Sequence, residues 1–163
     1  MTYVLDSNVF IEAKNRYYGF DIAPGFWDWL DLVHSTGSVC SIEPVRDELV
    51  AGDDPLAGWA AAHGPFFRPI DTATTREFPV LTKWADSQRY TAAAISEFLG
   101  NTADYYLVAY AKAHGYTVVT HERPAPDSHK RILIPDACLA IGVPYADTFA
   151  ALRATSAALI LRP

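Results

Sequence analysis

An aspartate stands at the end of a short apolar run near the start of the chain. Residues 2–5 are mostly apolar, Asp6 follows them directly, and an apolar run resumes after Ser7 and Asn8. This order predicts a first β-strand that ends at Asp6 and a helix that starts at once, with Ser7 as its N-cap. Ligands of open α/β sheets bind at the carboxyl ends of the strands. A metal ion is the simplest explanation for a carboxylate at that place.

The rest of the chain alternates between strand and helix patterns. Apolar, β-branched runs predict further strands at 38–42, 67–70 and 116–120 and a short one at 131–134. Periodicity and end signals predict helices at 24–35, 44–50, 55–63, 103–114, 135–141 and 146–155, and two more within 73–99 that break near residues 90–91. This alternation predicts a three-layer α/β/α sandwich with a central, mostly parallel sheet. A chain of 163 residues suffices for one domain, spanning 1–163, and is too short for two.

Composition narrows the classes of function and the compartment. The formal net charge of -6 argues against a protein that coats nucleic acid, because such proteins carry a basic excess. It is compatible with a nuclease, whose metal-binding carboxylates add negative charge that bound cations offset. We expect neither a membrane span nor a secretion signal, and therefore a cytoplasmic protein with no membrane partner. In that compartment Cys40 and Cys138 are expected to be buried thiols, while a disulfide between them stays an alternative.

Four acidic residues occupy comparable places in the predicted order. Asp6 ends the first strand, and Glu48 lies on the helix after the second. Asp104 lies in the first turn of the helix before strand 116–120, and Glu122 follows that strand. Since strand ends and the starts of following helices share one edge of a parallel sheet, we expect the four carboxylates to approach one another. Mg²⁺ and Mn²⁺ take such oxygen ligands and can orient a water molecule for attack on a phosphodiester.

Each acid also has an ordinary explanation when it is taken alone. Glu48 would be a solvated surface residue, as most charged side chains are. Asp104 is favoured near a helix N-terminus by the helix dipole, and Glu122 begins a polar loop. Asp6 is harder to explain in this way, because it interrupts an apolar strand. The joint arrangement of the four favours a site over four separate explanations.

Further polar and aromatic residues are candidates for contacts with nucleic acid. The basic candidates for phosphate contacts are Lys14, Arg16, Arg123, Lys130 and Arg131, with solubilising surface charge as an equal alternative. His121 is a candidate for a phosphate contact or a proton carrier, and its neighbourhood has too few ligands for structural zinc. The aromatic group Phe26, Trp27 and Trp29 could stack on bases, but its helical spacing favours burial in the core or an interface.

Three segments of the chain resemble the PIN-domain family, the PilT N-terminal-like nucleases that include VapC-like toxins. They are residues 3–11, residues 45–49, and residues 103–111 together with 118–120. With residues 134–138 the likeness runs along nearly the whole chain, and it is strongest to a less studied PIN-like branch with a glutamate after the Val-Val-Thr strand. The resemblance implies an α/β/α nuclease that uses Mg²⁺ or Mn²⁺.

The resemblance also assigns roles to particular residues. Asp6, Glu48 and Asp104 match the acidic positions that bind metal in the family. Glu122 stands where many members have an aspartate, and its longer side chain reaches a metal directly or through water. Two residues, Asn8 and Thr120, match small polar positions that orient carboxylates or bind water.

The leading hypothesis is therefore a metal-dependent endoribonuclease that acts as the toxin of a toxin–antitoxin pair. The resemblance implies an RNA substrate, a cognate antitoxin protein and a homodimer, with the helix around residues 26–30 or the helices within 73–99 as the dimer surface. One alternative is a haloacid-dehalogenase-like phosphatase with Asp6 as nucleophile, which Asn8 weakens because a second aspartate is usual there. The other is a non-catalytic PIN-like binding module, against which the complete set of acids argues.

Overall fold

The computed structural model describes residues 1–100 and 102–161, and these contain a five-stranded sheet. Its strands are β1 (Tyr3–Leu5), β2 (Val39–Ile42), β3 (Phe67–Arg68), β4 (Thr117–Val119) and β5 (Tyr145–Ala146). Their order across the sheet is β3-β2-β1-β4-β5, and every neighbouring pair is parallel. The predicted α/β/α fold is confirmed, with a described sheet that is parallel throughout.

Helices connect the strands along most of the chain. They are α1 (Ser7–Glu12), α2 (Pro24–Ser35), α3 (Glu43–Val50), α4 (Pro55–Ala62), α5 (Thr72–Thr75), α6 (Phe78–Ser87), α7 (Ala92–Gly100), α8 (Ala103–His114), α9 (Ile134–Ile141) and α10 (Thr148–Ala154). A π-helical stretch, Ala13–Tyr17, continues α1, and a 3-10 turn, Gly64–Phe66, precedes β3. α8 ends as predicted at Gly115, whose positive φ of 67° is a conformation that glycine adopts without strain.

The strand order places a crevice beside β1. From β1 the chain proceeds to β2 on one side, and it later returns to β4 on the other. The two central strands pair in register, with Leu5 opposite Val119, so the residues that follow them are neighbours. Parallel α/β sheets bind their ligands at such a switch point, outside the carboxyl ends of the strands.

The core covers the sheet with apolar and aromatic side chains. β1 and β4 are buried along their length, as the continuous apolar character of covered parallel strands requires. The aromatic group of α2, Phe26, Trp27 and Trp29, is buried in the same core. This confirms the core prediction for these rings and removes them as base-stacking or dimer-contact candidates.

The N-cap predicted for α1 is wrong. Asp6 occupies the N-cap position of α1, and the hydroxyl of Ser7 instead donates a hydrogen bond to Glu48. Thr102 does occupy the N-cap position of α8, but its hydroxyl donates to the carbonyl of Phe98. Glu48 contacts both helix starts, through the hydroxyl of Ser7 in α1 and the backbone N–H of Ala103 in α8.

Near the end of the chain the predicted strand 131–134 is wrong, and the predicted helix 146–155 is present but starts two residues later than predicted. Residues 131–133 form no strand, because the backbone N–H of Ile134 is bonded to a side chain and α9 begins there with Pro135 in its first turn. Ala146 belongs to β5, and α10 begins two residues later behind Asp147, whose carboxylate accepts from the N–H of Ala150 at 2.7 Å. The region 73–99 holds the predicted break before α7, although a short further helix, α5, precedes α6.

The two cysteines, Cys40 and Cys138, are buried and free, as predicted for thiols. Burial raises the pKa of Cys40 to about 11 and that of Cys138 to about 12. Within residues 1–100 and 102–161 no helix has the length and apolar character needed to span a bilayer.

Candidate active site

Asp6 is a buried carboxylate at the centre of the carboxyl edge of the sheet. Only 1% of the residue is exposed, and its Oδ2 accepts a hydrogen bond of 2.9 Å from the hydroxyl of Thr120 at the end of β4. Burial is the main cause that raises the pKa of Asp6 from 3.8 to about 7; the negative charges of Asp104 and Glu122 contribute to this rise, and the hydrogen bond from Thr120 opposes it. The group is thus held where its ionised form is unfavourable.

Asp104 lies in the first turn of α8 and faces the same place. Burial raises its pKa to about 6, and the charges of Glu122 and Glu48 act in the same direction. The charge of Arg131 opposes them. The four acids predicted to lie at one edge of the sheet are therefore close enough for their charges to affect the pKa values of Asp6 and Asp104.

Glu48 ties together the starts of two helices from its position on α3. Its Oε2 accepts from the hydroxyl of Ser7 in α1, and its Oε1 accepts from the backbone N–H of Ala103 in α8 at 3.1 Å. The N-terminal N–H groups of a helix lack partners within the helix, so the Ala103 bond satisfies one of them. Glu48 consequently fixes α8, and with it Asp104, relative to α1.

Glu122 has both carboxylate oxygens bonded to protein donors. Oε1 accepts from Nη2 of Arg131 at 2.8 Å, and Oε2 accepts from the N–H of Ile134 at the start of α9 at 2.7 Å. Its own N–H donates to the hydroxyl of Thr120 at 3.1 Å. Glu122 thus holds the start of α9 through the N–H of Ile134. Its charge also acts on Asp6 and Asp104, whose pKa values it raises.

Three of the predicted acids, Asp6, Glu48 and Asp104, line one cavity of about 230 Å³, which we call the acidic cavity. Asn8 and Arg131 are also on its wall. A larger adjoining cavity of about 710 Å³, the side cavity, is lined by Glu122 and Thr120 and shares Asn8 and Arg131 with the first. The fourth acid thus lies next to the acidic cavity rather than on its lining.

The acidic cavity also has a charged residue that the sequence analysis missed. Glu97 of α7 is on its wall, and its charge raises the pKa of Asp104. Glu97 is the only charged residue between Ala92 and Gly100. An isolated acid in an otherwise uncharged helix is the signal that would have drawn attention to it.

The basic residues predicted to contact RNA fall into two groups. Arg16 and Arg123 line the side cavity, and Arg131 lines both cavities. Lys14 instead forms an ion pair of 2.7 Å with Asp54. Neither Lys14 nor Lys130 is on the wall of either cavity.

The loop that carries Arg123 is held by Asp136 in the first turn of α9. Both carboxylate oxygens of Asp136 accept from the N–H of Ala125, at 3.0 and 3.2 Å. A second tie joins the N–H of Thr91 to the carbonyl of His129 at 2.8 Å. The polar segment 121–130 is therefore a loop, as predicted, that is attached at two points to the helices around the site.

A parallel α/β/α fold with acids at the carboxyl edge of its central strands defines the class of this protein. It has the PIN-domain fold, as the sequence resemblance predicted. The chain belongs to the DUF4411 family, described as a domain of unknown function, whose model matches residues 3–159. No curated protein sequence matches the chain.

Three solved structures show the same fold. One is the crystal structure of VapBC2 from Rickettsia felis bound to a DNA fragment from their promoter, with 15% identity, a TM-score of 0.58, and coverage of 90% of this chain and 98% of that one. The structure of FitAB bound to an IR36 DNA fragment has 18% identity, a TM-score of 0.53 and coverage of 90% and 94%. FitAcB from Neisseria gonorrhoeae has 19% identity, a TM-score of 0.53 and coverage of 88% and 96%.

Proposed function

We propose that this protein is a Mg²⁺- or Mn²⁺-dependent endoribonuclease and the toxin of a toxin–antitoxin pair. The observation that carries the proposal is the acidic cavity, where the buried Asp6 and the half-buried Asp104 face one space at the switch point of the sheet. Burial raises the pKa of both carboxylates, the charge of Asp104 raises that of Asp6 further, and the charges of Glu122 and Glu48 act on Asp104, so the protein alone stabilises the ionised pair poorly. A divalent cation between them would remove that repulsion.

The donor set suits a hard cation. The acids that line or adjoin the cavity present oxygen atoms, and both free cysteines are buried in the core. Among the residues that the structure describes, no three acidic, histidine or cysteine side chains are already arranged as a ligand set. Glu48 and Glu122 are bonded to protein donors, so Asp6 and Asp104 would hold an ion first, and Glu122 or Glu48 would join them on leaving its present partner.

We assign Asp6, Asp104 and Glu122 as ligands, and Glu48 as a ligand or as the group that orients the attacking water. The bound ion supplies an activated water and stabilises the charge that develops on the phosphate. Thr120 holds Asp6 in one orientation, and the bonds of Glu48 to α1 and α8 hold the opposite wall. Arg131, which is 58% exposed at the mouth of the cavity, is placed to bind the phosphate of an incoming strand.

The partners are proposed from the similar structures and from the fold. The similar structures are those of VapBC2, FitAB and FitAcB, and the first two are bound to DNA fragments. We propose a cognate antitoxin for this chain as well, and a homodimer whose surface includes α6, where Val80 is exposed. Light scattering of the purified protein, and co-purification with the product of a neighbouring reading frame, test these two points.

The decisive experiment is cleavage of single-stranded and looped RNA in Mg²⁺, Mn²⁺ or EDTA, with DNA of the same sequence in parallel. Asp6→Asn and Asp104→Asn should abolish cleavage and leave the circular dichroism spectrum unchanged. Asp47→Asn is the matched control, because Asp47 is an exposed acid on α3 next to Glu48 and outside both cavities. Cleavage by Asp6→Asn at the rate of the unmodified protein, or equal cleavage in EDTA, would refute the proposal.

A further inference from the structure

The side cavity is built from three separate segments next to the acids. The π-helical stretch supplies Arg16 and Tyr17, the end of β4 supplies residues 120–124, and the start of α10 supplies Phe149. Its volume of about 710 Å³ lies in the range of small-molecule sites. Because it shares Asn8 and Arg131 with the acidic cavity, a strand bound over the acids extends directly into it.

Exposed aromatic rings form one wall of the side cavity. Tyr17 is 47% exposed and Phe149 is 39% exposed, whereas most large aromatic side chains of this protein are buried or half-buried. The ring of Tyr17 lies 5.9 Å from that of His121 at an interplanar angle of 31°, and 5.9 Å from that of Phe149 at 80°. Exposed ring faces of this kind are what unpaired nucleobases stack on.

The position of Tyr17 depends on the π-helical stretch. The N–H of Tyr18 donates to the carbonyl of Ala13, five residues earlier, at 2.6 Å. Tyr18 then stacks on Phe26 in the core, with ring centroids 4.4 Å apart, while its neighbour Tyr17 is left at the cavity. Such wide turns are uncommon and often occur at functional sites.

The charges around the side cavity indicate which part of a nucleotide it binds. Three arginines line it (Arg16, Arg123 and Arg131), and three acids line it as well (Glu12, Glu122 and Asp147). Glu12 and Glu122 already form ion pairs with Arg16 and Arg131. Because the positive and negative side chains of the lining are equal in number, the side cavity suits an uncharged ring with polar edges. The phosphates of the strand are attracted instead to the exposed Arg123 and Arg131 at the rim of the cavity.

We propose that the side cavity binds an unpaired nucleobase of the RNA, stacked on Tyr17, next to the phosphate at the acidic cavity. The assignment rests on the proposed nuclease function and adds to it that the substrate must be single-stranded at this nucleotide. A paired base cannot present its face to Tyr17, because its neighbours in the helix cover it.

The test uses single-stranded RNA oligonucleotides with one 2-aminopurine, moved position by position, because this base loses fluorescence when it stacks. The oligonucleotides are titrated with Asp6→Asn protein, so that cleavage does not intervene, and with the same protein carrying Tyr17→Ala, Tyr17→Phe or Tyr116→Ala. Tyr116→Ala is the matched control, since Tyr116 is a half-buried tyrosine just before β4, at the opposite edge of the sheet. Duplex RNA and single-stranded DNA of the same sequence form two further arms.

We expect quenching at one position, a loss of quenching and roughly tenfold weaker binding in Tyr17→Ala, and near-normal behaviour in Tyr17→Phe and Tyr116→Ala. In duplex RNA the 2-aminopurine is already stacked between its neighbours, so the duplex arm is read by affinity: the duplex should bind roughly tenfold more weakly than the single strand, and its affinity should not depend on the Tyr17 ring. Single-stranded DNA should show the same Tyr17-dependent quenching if the ring stacks on the base alone. Equal quenching and affinity with and without the Tyr17 ring, or no position-specific quenching in any protein, overturns the base site. Cleavage by the unmodified protein in Mn²⁺ is measured in parallel. If the unmodified protein does not cleave the RNA but the position-specific quenching is present, the proposed nuclease activity is refuted and the base site is not.

Discussion

Replacement of Asp6 by asparagine should stabilise the metal-free protein at neutral and alkaline pH. In the folded protein the pKa of Asp6 is about 7, against 3.8 for an ordinary aspartate. Between these two pH values the folded chain holds a proton that the unfolded chain has released, so the free energy of unfolding falls as pH rises from about 4 to about 7. Asparagine has the same shape and cannot ionise, and it therefore escapes this loss.

The size of the effect follows from the pKa difference. A separation of about three pH units corresponds to about 4 kcal/mol at about 1.4 kcal/mol per unit. Asp104 and Glu122 contribute to the raised pKa, and Asp104 can take up part of the proton load, which lowers the expected gain. We expect Asp6→Asn to raise the free energy of unfolding by about 2 to 4 kcal/mol at pH 8, and by less than about 1 kcal/mol at pH 4.5.

Urea unfolding in EDTA at pH 4.5 and pH 8, followed by circular dichroism, measures this difference. Asp47→Asn is the control and should match the unmodified protein at both pH values, since Asp47 is exposed. With Mn²⁺ added at pH 8, the unmodified protein should gain stability and Asp6→Asn should gain little. The reasoning is refuted if Asp6→Asn is less stable than the unmodified protein at pH 8, or if the difference in stability between the two proteins is the same at pH 4.5 and pH 8.

Three further outcomes are expected. Mn²⁺ affinity, measured by calorimetry, should rise between pH 5.5 and 8, because the ion requires Asp104 and Asp6 to lose the protons that they bind with pKa values of about 6 and about 7; an affinity independent of pH over this range contradicts the assignment. Glu48→Ala should lower the free energy of unfolding by about 1 to 3 kcal/mol in urea, since it removes the acceptor of the Ala103 N–H, whereas Asp47→Ala should change it little. Thr120→Val should shift the pH dependence of Mn²⁺ binding upwards, because it removes the hydrogen bond that stabilises ionised Asp6; an unshifted profile counts against this role.

Much of the fold was predictable because its signals are local. The strands around Val4 and Val118 are buried on both faces, so they consist mostly of apolar residues, with Thr117 as the buried polar residue of β4. Pro24 begins α2 and Gly115 ends α8, each for the backbone reason that favours it there. β5 was missed because it is two residues long, and its pairing with β4 rather than its own pattern makes it a strand.

The candidate site was predictable in part for the same reason. A carboxylate directly after a central strand lies at the edge where ligands bind, so Asp6 could be placed from its neighbours in sequence. Glu97 was missed, because its place on the acidic cavity depends on how α7 packs beside α8. The hydrogen bonds of Glu122 with Arg131 and Ile134 could not be predicted either, because no local sequence pattern indicates how the loop before α9 folds back on Glu122.

The sequence by itself determined the layer architecture, the order of the acids and their delivery to one edge of the sheet, because these follow from short-range periodicity and from the geometry of parallel strands. The tertiary structure alone decided which acids share a cavity and how strongly they resist ionisation. It also decided that Tyr17, His121 and Phe149 form one wall. These properties depend on distances between segments far apart in the chain and on the exclusion of water between them, and both arise only when the core has packed.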